Sequence, residues 1–471
     1  MTHTDAAKAL QEAQAAARLD SYASARHADV IRRLHSIGCR QQALDELRRV
    51  AGLRPGSAAD AEALGFTAFG LGEHALAHQF YAVVVDQAPS DATAWYNVAT
   101  TLRNIGRLGE SEAACTRCLG LDSSYAQAAL LRSHLKTQST EANHLDELRA
   151  LLGRARHDLS AQIFLNYALG KELDDIGAFD DAFRHFADGA ALRRRSLAYD
   201  VELDVRKLER IKAVYDPARL SSARPRSPVP YGFIIGLPRS GTTLIERVLT
   251  GHPSVRSNGE TDNFLQALMS ALAPNGADVF ERAARADHAQ VGAAYAALAG
   301  PPTVGDGLVL EKLPLNYLYV GAIRLALPGA RIVRVQRRPA DNLFAMFSTL
   351  FGDGYPFSYD LRELARYYAA YKALDAYWLA HAGDLVAPVS YEAFTADPAG
   401  LGAALADHVG IDWRTDMVKV EKNTTATATA SAAQVRQPIY RKSDGRWRNY
   451  AKHLAPLIED LKAAGIDPDE T

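Results

Sequence analysis

The chain has 471 residues, 48% of them hydrophobic and 23% charged, with a formal net charge of −2. That length exceeds one ordinary core and predicts roughly two to four domains of a globular protein, and the composition excludes a disordered chain. The near-neutral charge excludes whole-surface attraction to nucleic acid or anionic membrane, so neither partner is expected and any basic site has to be local.

Met1-Thr2-His3-Thr4-Asp5 shows no basic stretch leading into an apolar run, so no signal peptide is expected. No segment reaches the roughly 18 uninterrupted apolar residues of a membrane span. Three cysteines, a sparse and odd count, fit a reducing cytoplasm. Cys115 and Cys118 have C-x-x-C spacing, but no second pair completes a metal site, and core packing is the expectation.

Gly38, Gly72 and Gly106 are spaced by 34 residues. Five positions after each comes Ala43, Ala77 or Ser111, then Leu47, Tyr81 or Cys115, then Val50, Val84 or Cys118. Pro55 and Pro89 close two of the three copies, with Ser123 in the third, and a further copy stands at Gly177, Ala182 and Phe186. Glycine accepts the tight turn between two antiparallel helices, alanine lets them approach, and the larger residues fall on the second helix's inner face. Proline then stops that helix. Period and pattern resemble the tetratricopeptide repeat over about residues 30–190, which implies a surface that holds a peptide or protein partner.

Periodicity lapses between Tyr215 and Pro230, where Asp216-Pro217, Ser221-Ser222 and Arg224-Pro225-Arg226-Ser227-Pro228 read as a linker. The predicted organisation is therefore an all-α repeat solenoid over 1–214, a linker over 215–230, and an α/β P-loop-like domain with a short parallel sheet over 231–471.

Phe233-Ile234-Ile235 reads as a buried strand and runs into Gly236-Leu237-Pro238-Arg239-Ser240-Gly241-Thr242-Thr243, after which apolar residues recur at helical spacing. Strand, glycine loop and helix in that order cradle an oxyanion with backbone N–H groups. The frame is G-x-x-x-x-G-K-[ST], but Thr242 stands where a nucleotide triphosphatase carries its lysine. Threonine cannot reach a γ-phosphate with a cation, whereas Arg239 supplies charge from another place in the loop. The loop still grips a phosphate, and nothing in it requires a metal.

Leu237-Pro238-Arg239-Ser240-Gly241-Thr242-Thr243-Leu244 resembles the 5′-phosphosulfate loop of sulfotransferases that use 3′-phosphoadenosine 5′-phosphosulfate (PAPS). It is most similar to protein-tyrosine sulfotransferases and to bacterial fusions of tetratricopeptide repeats with a sulfotransferase domain. Further elements in the family's order extend the resemblance over about residues 231–452. Asn258-Gly259-Glu260-Thr261 is similar to a Gly-Glu-Glu-Thr element, which implies Glu260 as general base. Glu311-Lys312-Leu313-Pro314 resembles Lys-Asp-Pro and implies that Lys312 neutralises the bridging oxygen. Arg337-Arg338-Pro339-Ala340-Asp341 resembles Arg-Asp-Pro-Arg-Asp, with Arg337 on the donor's 3′-phosphate. The family's serine eight residues later is Ala345 here, which leaves that grip less complete unless Ser348 or another donor substitutes.

Tyr391 falls in a Tyr-Glu-x-Leu-like segment and is expected near the nucleotide. Ser431-Ala432-Ala433-Gln434-Val435-Arg436-Gln437-Pro438 resembles Ser-x-x-Gln-Val-x-x-Pro, and Arg446-Trp447 stands where the family has Lys-Trp. The resemblance implies Ser431 at the sulfuryl group, Gln434 and Val435 at the nucleotide, and Arg446 over its 3′-phosphate. Residues 422–445 are a polar loop suited to a lid, and the alanine-rich stretch from Asn263 to Gly307 is expected to shape the acceptor pocket. The implied reaction is sulfuryl transfer from PAPS to an acceptor hydroxyl, such as a peptide tyrosine, releasing adenosine 3′,5′-bisphosphate without a metal. The alternatives are a nucleotide kinase, opposed by Thr242, and a repeat scaffold whose C-terminal domain is silent, favoured by Ala345.

Overall fold

The computed structural model describes residues 11, 24–37, 39–52, 55–223, 229–273, 278–303, 305, 307–423, 425–427, 429, 432–441 and 443–470. These fall into two compact units, residues 1–136 with 424–433, and residues 137–423 with 434–471.

The first unit is built of helices, α1 Ser24–Ser36, α2 Arg40–Ala51, α3 Ala58–Gly70, α4 His74–Gln87, α5 Ala92–Ile105, α6 Leu108–Leu121 and α7 Ala126–His134. Gly72 and Gly106 turn the chain between paired helices at φ 80° and 90°, a left-handed conformation that a side chain would strain. Gly38 lies outside the described residues. The periodic columns are the inner face: Ala43, Ala77 and Ser111 are fully buried, and so are Leu47, Cys115 and Cys118. Ser111 takes alanine's place by donating its hydroxyl to the Ala99 carbonyl at 2.7 Å. Burial pushes the Cys115 thiol up to about 12 and the Cys118 thiol to about 11, so both pack as small apolar groups.

The second unit begins earlier than the sequence predicts. Helices α8 Leu145–Arg154, α9 Leu159–Asp175, α10 Phe179–Arg195 and α11 Val201–Val214 belong to it, including the copy at Gly177. Their apolar and charged faces are matched to this unit. Phe183 stacks on Phe347 at 5.7 Å, Arg194 makes a fork with Glu363 at 2.6 and 2.7 Å, and Arg366 pairs with Glu202 at 2.7 Å. The expected linker contains α12, Pro217–Ser222, capped by Asp216 and anchored by buried Leu220. Residues 224–228 lie outside the description.

The sheet has five parallel strands in the order β2-β3-β1-β4-β5: β1 Tyr231–Gly236, β2 Val255–Ser257, β3 Leu308–Lys312, β4 Arg331–Gln336 and β5 Val386–Ser390. β1 lies between β3 and β4, pairing Ile234 with both Lys312 and Val333, and is buried throughout. A parallel sheet with β1 at its centre reverses direction of connection there, and the loop after β1 opens at that switch point. α13, Thr242–Leu249, follows β1 directly. Between β2 and β3 come α14 Asn263–Ser270, α15 Val279–Ala284 and α16 His288–Ala299. Fully buried Phe264 and Tyr295 from α14 and α16 pack on Phe233 of β1, so part of the stretch expected at an acceptor pocket is core. The remaining helices are α17 Val320–Ala326, α18 Pro339–Phe347, α19 Leu361–Ala382, α20 Tyr391–Ala396, α21 Pro398–Val409 and α22 Ala455–Ala463. Among the described residues, no helix is long and apolar enough to cross a membrane.

Candidate active site

The loop after β1 has the expected strand, turn and helix. Gly236 stands at φ 150°, where a Cβ would collide with the Val335 carbonyl oxygen. Gly241 caps α13 at φ 106°, and a Cβ there would strike the Tyr391 ring. Arg239, with φ 66°, is one of two non-glycine residues described at positive φ, so the loop bends tightly at both ends and at its middle. Asn342 of α18 braces it by donating Nδ2 to the Pro238 carbonyl at 2.7 Å. Ser240 is fully buried and its Oγ has no hydrogen-bond partner among the described residues. Thr242 and Thr243 are buried at the helix start.

Two guanidiniums meet on this loop. Arg337, just beyond β4, donates Nη1 to the Arg239 carbonyl at 3.2 Å and Nη2 to the Ser443 carbonyl at 2.7 Å. Its guanidinium lies 5.2 Å from the Tyr391 ring centroid, and the Tyr391 hydroxyl is 3.1 Å from Ser443 Oγ. Among the described residues Arg337 has no carboxylate in ion-pair range, and its Nε is buried without a partner. Arg239 donates Nη2 to Gln434 Oε1 at 2.8 Å. Burial, and then the neighbouring Arg337 charge, push the Arg239 guanidinium down to about 10. Like charges held together, with Arg337 hydrogen-bonded to neutral carbonyls, make a place for a polyanion.

Beside the loop, the C-terminal end of β3 brings Lys312 to Glu260. Lys312 is fully buried, its Nζ bonded to Glu260 Oε1, and Glu246 Oε2 of α13 lies 3.7 Å away. The turn carrying Glu260 is pinned at several points. Asn258 N–H donates to the Leu310 carbonyl at 2.8 Å, Lys312 N–H to the Gly259 carbonyl at 3.0 Å, and Gly259 N–H to Ser257 Oγ at 2.9 Å. On the other face of β3, buried Glu311 accepts from Asn316 Nδ2 at 2.9 Å and from the Thr261 hydroxyl at 3.3 Å. Burial holds the Glu311 carboxyl up to about 7 despite those donors.

The C-terminal stretch returns to the loop after β1. Gln434 touches Arg239, and Val435 is buried beside it in a single 3₁₀ turn, Gln434–Arg436. Ser431 lies outside the described residues. Arg446 differs: its guanidinium pairs with Asp174 of α9, the carboxylate that also accepts the Tyr450 hydroxyl, so it is tied to the helices and not to Arg337. Ser348, the alternative to the serine missing at Ala345, has its hydroxyl 3.5 Å from the Ala345 carbonyl. Ser443, which no motif marked, meets Arg337 with its carbonyl and Tyr391 with its hydroxyl. Asp341, Glu392 and Asp444 cluster closely enough to suggest a cation site. Arg338 already sits there, pairing with Asp444, reaching Asp341 at 3.2 Å and donating its backbone N–H to Glu392 at 2.9 Å.

Residues 230–415 match the model described as the Sulfotransferase family. An uncharacterized protein of Aquifex aeolicus (strain VF5) is 24% identical over 376 residues, covering 77% of this chain and 49% of the relative. The chain thus spans about half the length of that curated relative. The sulfotransferase domain of an olefin synthase from Synechococcus PCC 7002 aligns at 18% identity and a TM-score of 0.36, over 51% of this chain and 96% of its own. A sulfotransferase from Alicyclobacillus acidocaldarius aligns at 18% identity and a TM-score of 0.28, over 52% of this chain and 97% of its own. Gln434, Val435 and Arg446 lie beyond the matched stretch, whereas the loop, Glu260, Lys312, Arg337 and Tyr391 lie inside it. Residues 230–415 carry a sulfotransferase-family domain, preceded by a helical N-terminal region.

Proposed function

We propose that the chain transfers a sulfuryl group from PAPS to an acceptor hydroxyl. The observation that carries this reading is the pair Arg239 and Arg337 against a phosphate loop without lysine, with Arg337 bonded only to carbonyls among the described residues. A guanidinium fork suits a phosphate dianion, and a 3′-phosphate separates PAPS from ATP. Loop amides and hydroxyls from Pro238 to Thr243 would hold the 5′ end, and Arg337, Tyr391 and Ser443 the 3′-phosphate. Gln434 and Val435 would cover the nucleotide.

Chemically, a lone pair of the acceptor oxygen attacks sulfur while the bond from sulfur to the phosphate oxygen breaks. The leaving electron pair departs with adenosine 3′,5′-bisphosphate. Glu260 takes the acceptor proton, and Lys312 and Arg239 stabilise the charge on the bridging and sulfuryl oxygens. Ser431 joins them at the sulfuryl group in the same proposal. No metal is needed for these steps. The helices of the first unit would act as a tetratricopeptide-like surface holding a peptide, which favours a peptide tyrosine as acceptor in the cytoplasm.

Calorimetry with adenosine 3′,5′-bisphosphate tests the donor site, and sulfate transfer from labelled PAPS to a panel of peptides, glycans and phenols tests the reaction. Transfer to one class with tight bisphosphate binding is the expected result. Absence of binding would favour the second reading, a repeat scaffold with a silent domain, for which Ala345 and the diversion of Arg446 to Asp174 speak.

A further inference from the structure

Glu246 was marked by no motif, yet it joins the two groups that the proposed reaction uses. It lies one turn into α13, the helix that begins at the phosphate loop, and its side chain is 10% exposed. One carboxylate oxygen, Oε2, is 3.7 Å from Lys312 Nζ. The other, Oε1, accepts the Ser257 hydroxyl at 2.5 Å. The same Ser257 oxygen accepts the Gly259 N–H at 2.9 Å, and so fixes the turn that presents Glu260. Lys312 therefore stands between two carboxylates, Glu260 on one side and Glu246 on the other.

We propose that Glu246 is a positioning residue, the standing counter-charge that keeps Lys312 an aimed ammonium while Glu260 changes its own charge. The proposal rests on Lys312 and Glu260 being the reacting pair. When the acceptor's proton passes to Glu260, that carboxylate becomes neutral and Lys312 loses its closest partner. A fully buried ammonium left without a negative neighbour carries a steep desolvation cost. Glu246 supplies that neighbour without touching the acceptor. Its charge does not change during the step, and Ser257 holds its other oxygen, so it cannot follow the lysine. Lys312 is then available to the oxygen leaving sulfur, where positive charge is needed as the bond breaks.

The test compares Glu246→Gln, which keeps an oxygen for Ser257 but removes the charge, with Glu246→Asp, which keeps the charge on a shorter arm. Glu246→Gln is expected to lower kcat at least about 10-fold while leaving KM for the acceptor and Kd for adenosine 3′,5′-bisphosphate within about 2-fold, and Glu246→Asp to recover part of the loss. Wild-type kcat in Glu246→Gln would overturn the proposal, because a role confined to the Ser257 hydrogen bond survives that change. A second measurement needs no turnover. Urea unfolding is followed for Glu246→Gln with lysine or methionine at position 312. With the lysine present, loss of the carboxylate should lower the midpoint. With Lys312→Met it should raise the midpoint, since it relieves the like charges of Glu246 and Glu260 left without the lysine. The same shift in both backgrounds overturns the inference even if the protein transfers no sulfate, an outcome that by itself counts only against the proposed reaction.

Discussion

Lys312 and Glu260 form an ion pair at the C-terminal end of β3, yet the lysine side chain is 0% exposed and the glutamate's is 37% exposed. The carboxylate can meet an arriving hydroxyl while the ammonium stays on the protein side. In the proposed reaction that asymmetry would divide the labour between acceptor and donor. Glu260→Ala is expected to lower kcat by about 10²–10³-fold, the usual worth of a positioned general base. The affinity for adenosine 3′,5′-bisphosphate, measured by calorimetry, should stay the same. Near-normal turnover in this variant would remove Glu260 from the chemistry.

Arg337 offers a sharper test of the donor. Removing a guanidinium that meets a phosphate costs about 1.5–3 kcal/mol, or roughly 10- to 150-fold in affinity. Arg337→Ala should therefore bind adenosine 3′,5′-bisphosphate that much more weakly and adenosine 5′-phosphate about as well as the wild type does. Equal losses for both ligands would show that the arginine braces the loop through the Arg239 carbonyl and reads no 3′-phosphate.

At Gly241 two requirements coincide, the left-handed φ of 106° and the Tyr391 ring where a Cβ would stand. Gly241→Ala is expected to destabilise the protein by about 1–3 kcal/mol and to abolish bisphosphate binding. Trimming the ring in Gly241→Ala/Tyr391→Ala should recover only part of the stability, because the backbone strain persists. Full recovery in a denaturation curve would assign the whole effect to the clash.

The pH dependence of stability should carry the mark of Glu311. Its folded value is raised, by burial first, from 4.5 to about 7. Stability from this group is therefore fully present below pH 4.5 and is lost as pH rises through 7, because the unfolded chain releases the proton first. The loss is on the order of 3 kcal/mol across that window. Glu311→Gln keeps an oxygen for Asn316 and Thr261, and its urea midpoint relative to wild type should climb from pH 4.5 to 7.5. A constant difference would mean that the buried carboxyl is ionised throughout.

How much of this was legible in the sequence depends on how local each signal is. The loop from Gly236 to Thr243 was readable because its glycines answer to backbone geometry set within eight residues. The inner face of the first helices was readable because its burial repeats with the helix. β2, only Val255–Ser257, is too short to give a pattern. The helices from Leu145 to Val214 were recognisable as helices, but periodicity does not say which core a helix serves. Partners such as Phe347 and Glu363, more than 160 positions away, decide that for Phe183 and Arg194. No motif marked Glu246, and only the fold reveals that Lys312 and Ser257 close around it. Arg446 is the opposite case, a residue whose motif position was clear and whose guanidinium is drawn to Asp174.

Residues 424–433 fold with the first unit although both flanks belong to the second, and Thr427 N–H donates to the Asn104 carbonyl at 3.0 Å. The backbone consequently passes between the units three times, after residues 136, 423 and 433. No single cut yields two whole pieces. A protein shortened to start at Thr137 would keep a ten-residue excursion stripped of the helices it folds against. At one end of that excursion is Asn423, held to Thr250, and at the other is Gln434, held to Arg239. Trimming the amino-terminal helices would thus leave Thr427 without the Asn104 carbonyl, on a stretch whose flanking residues are bonded to the phosphate loop and to the end of its helix.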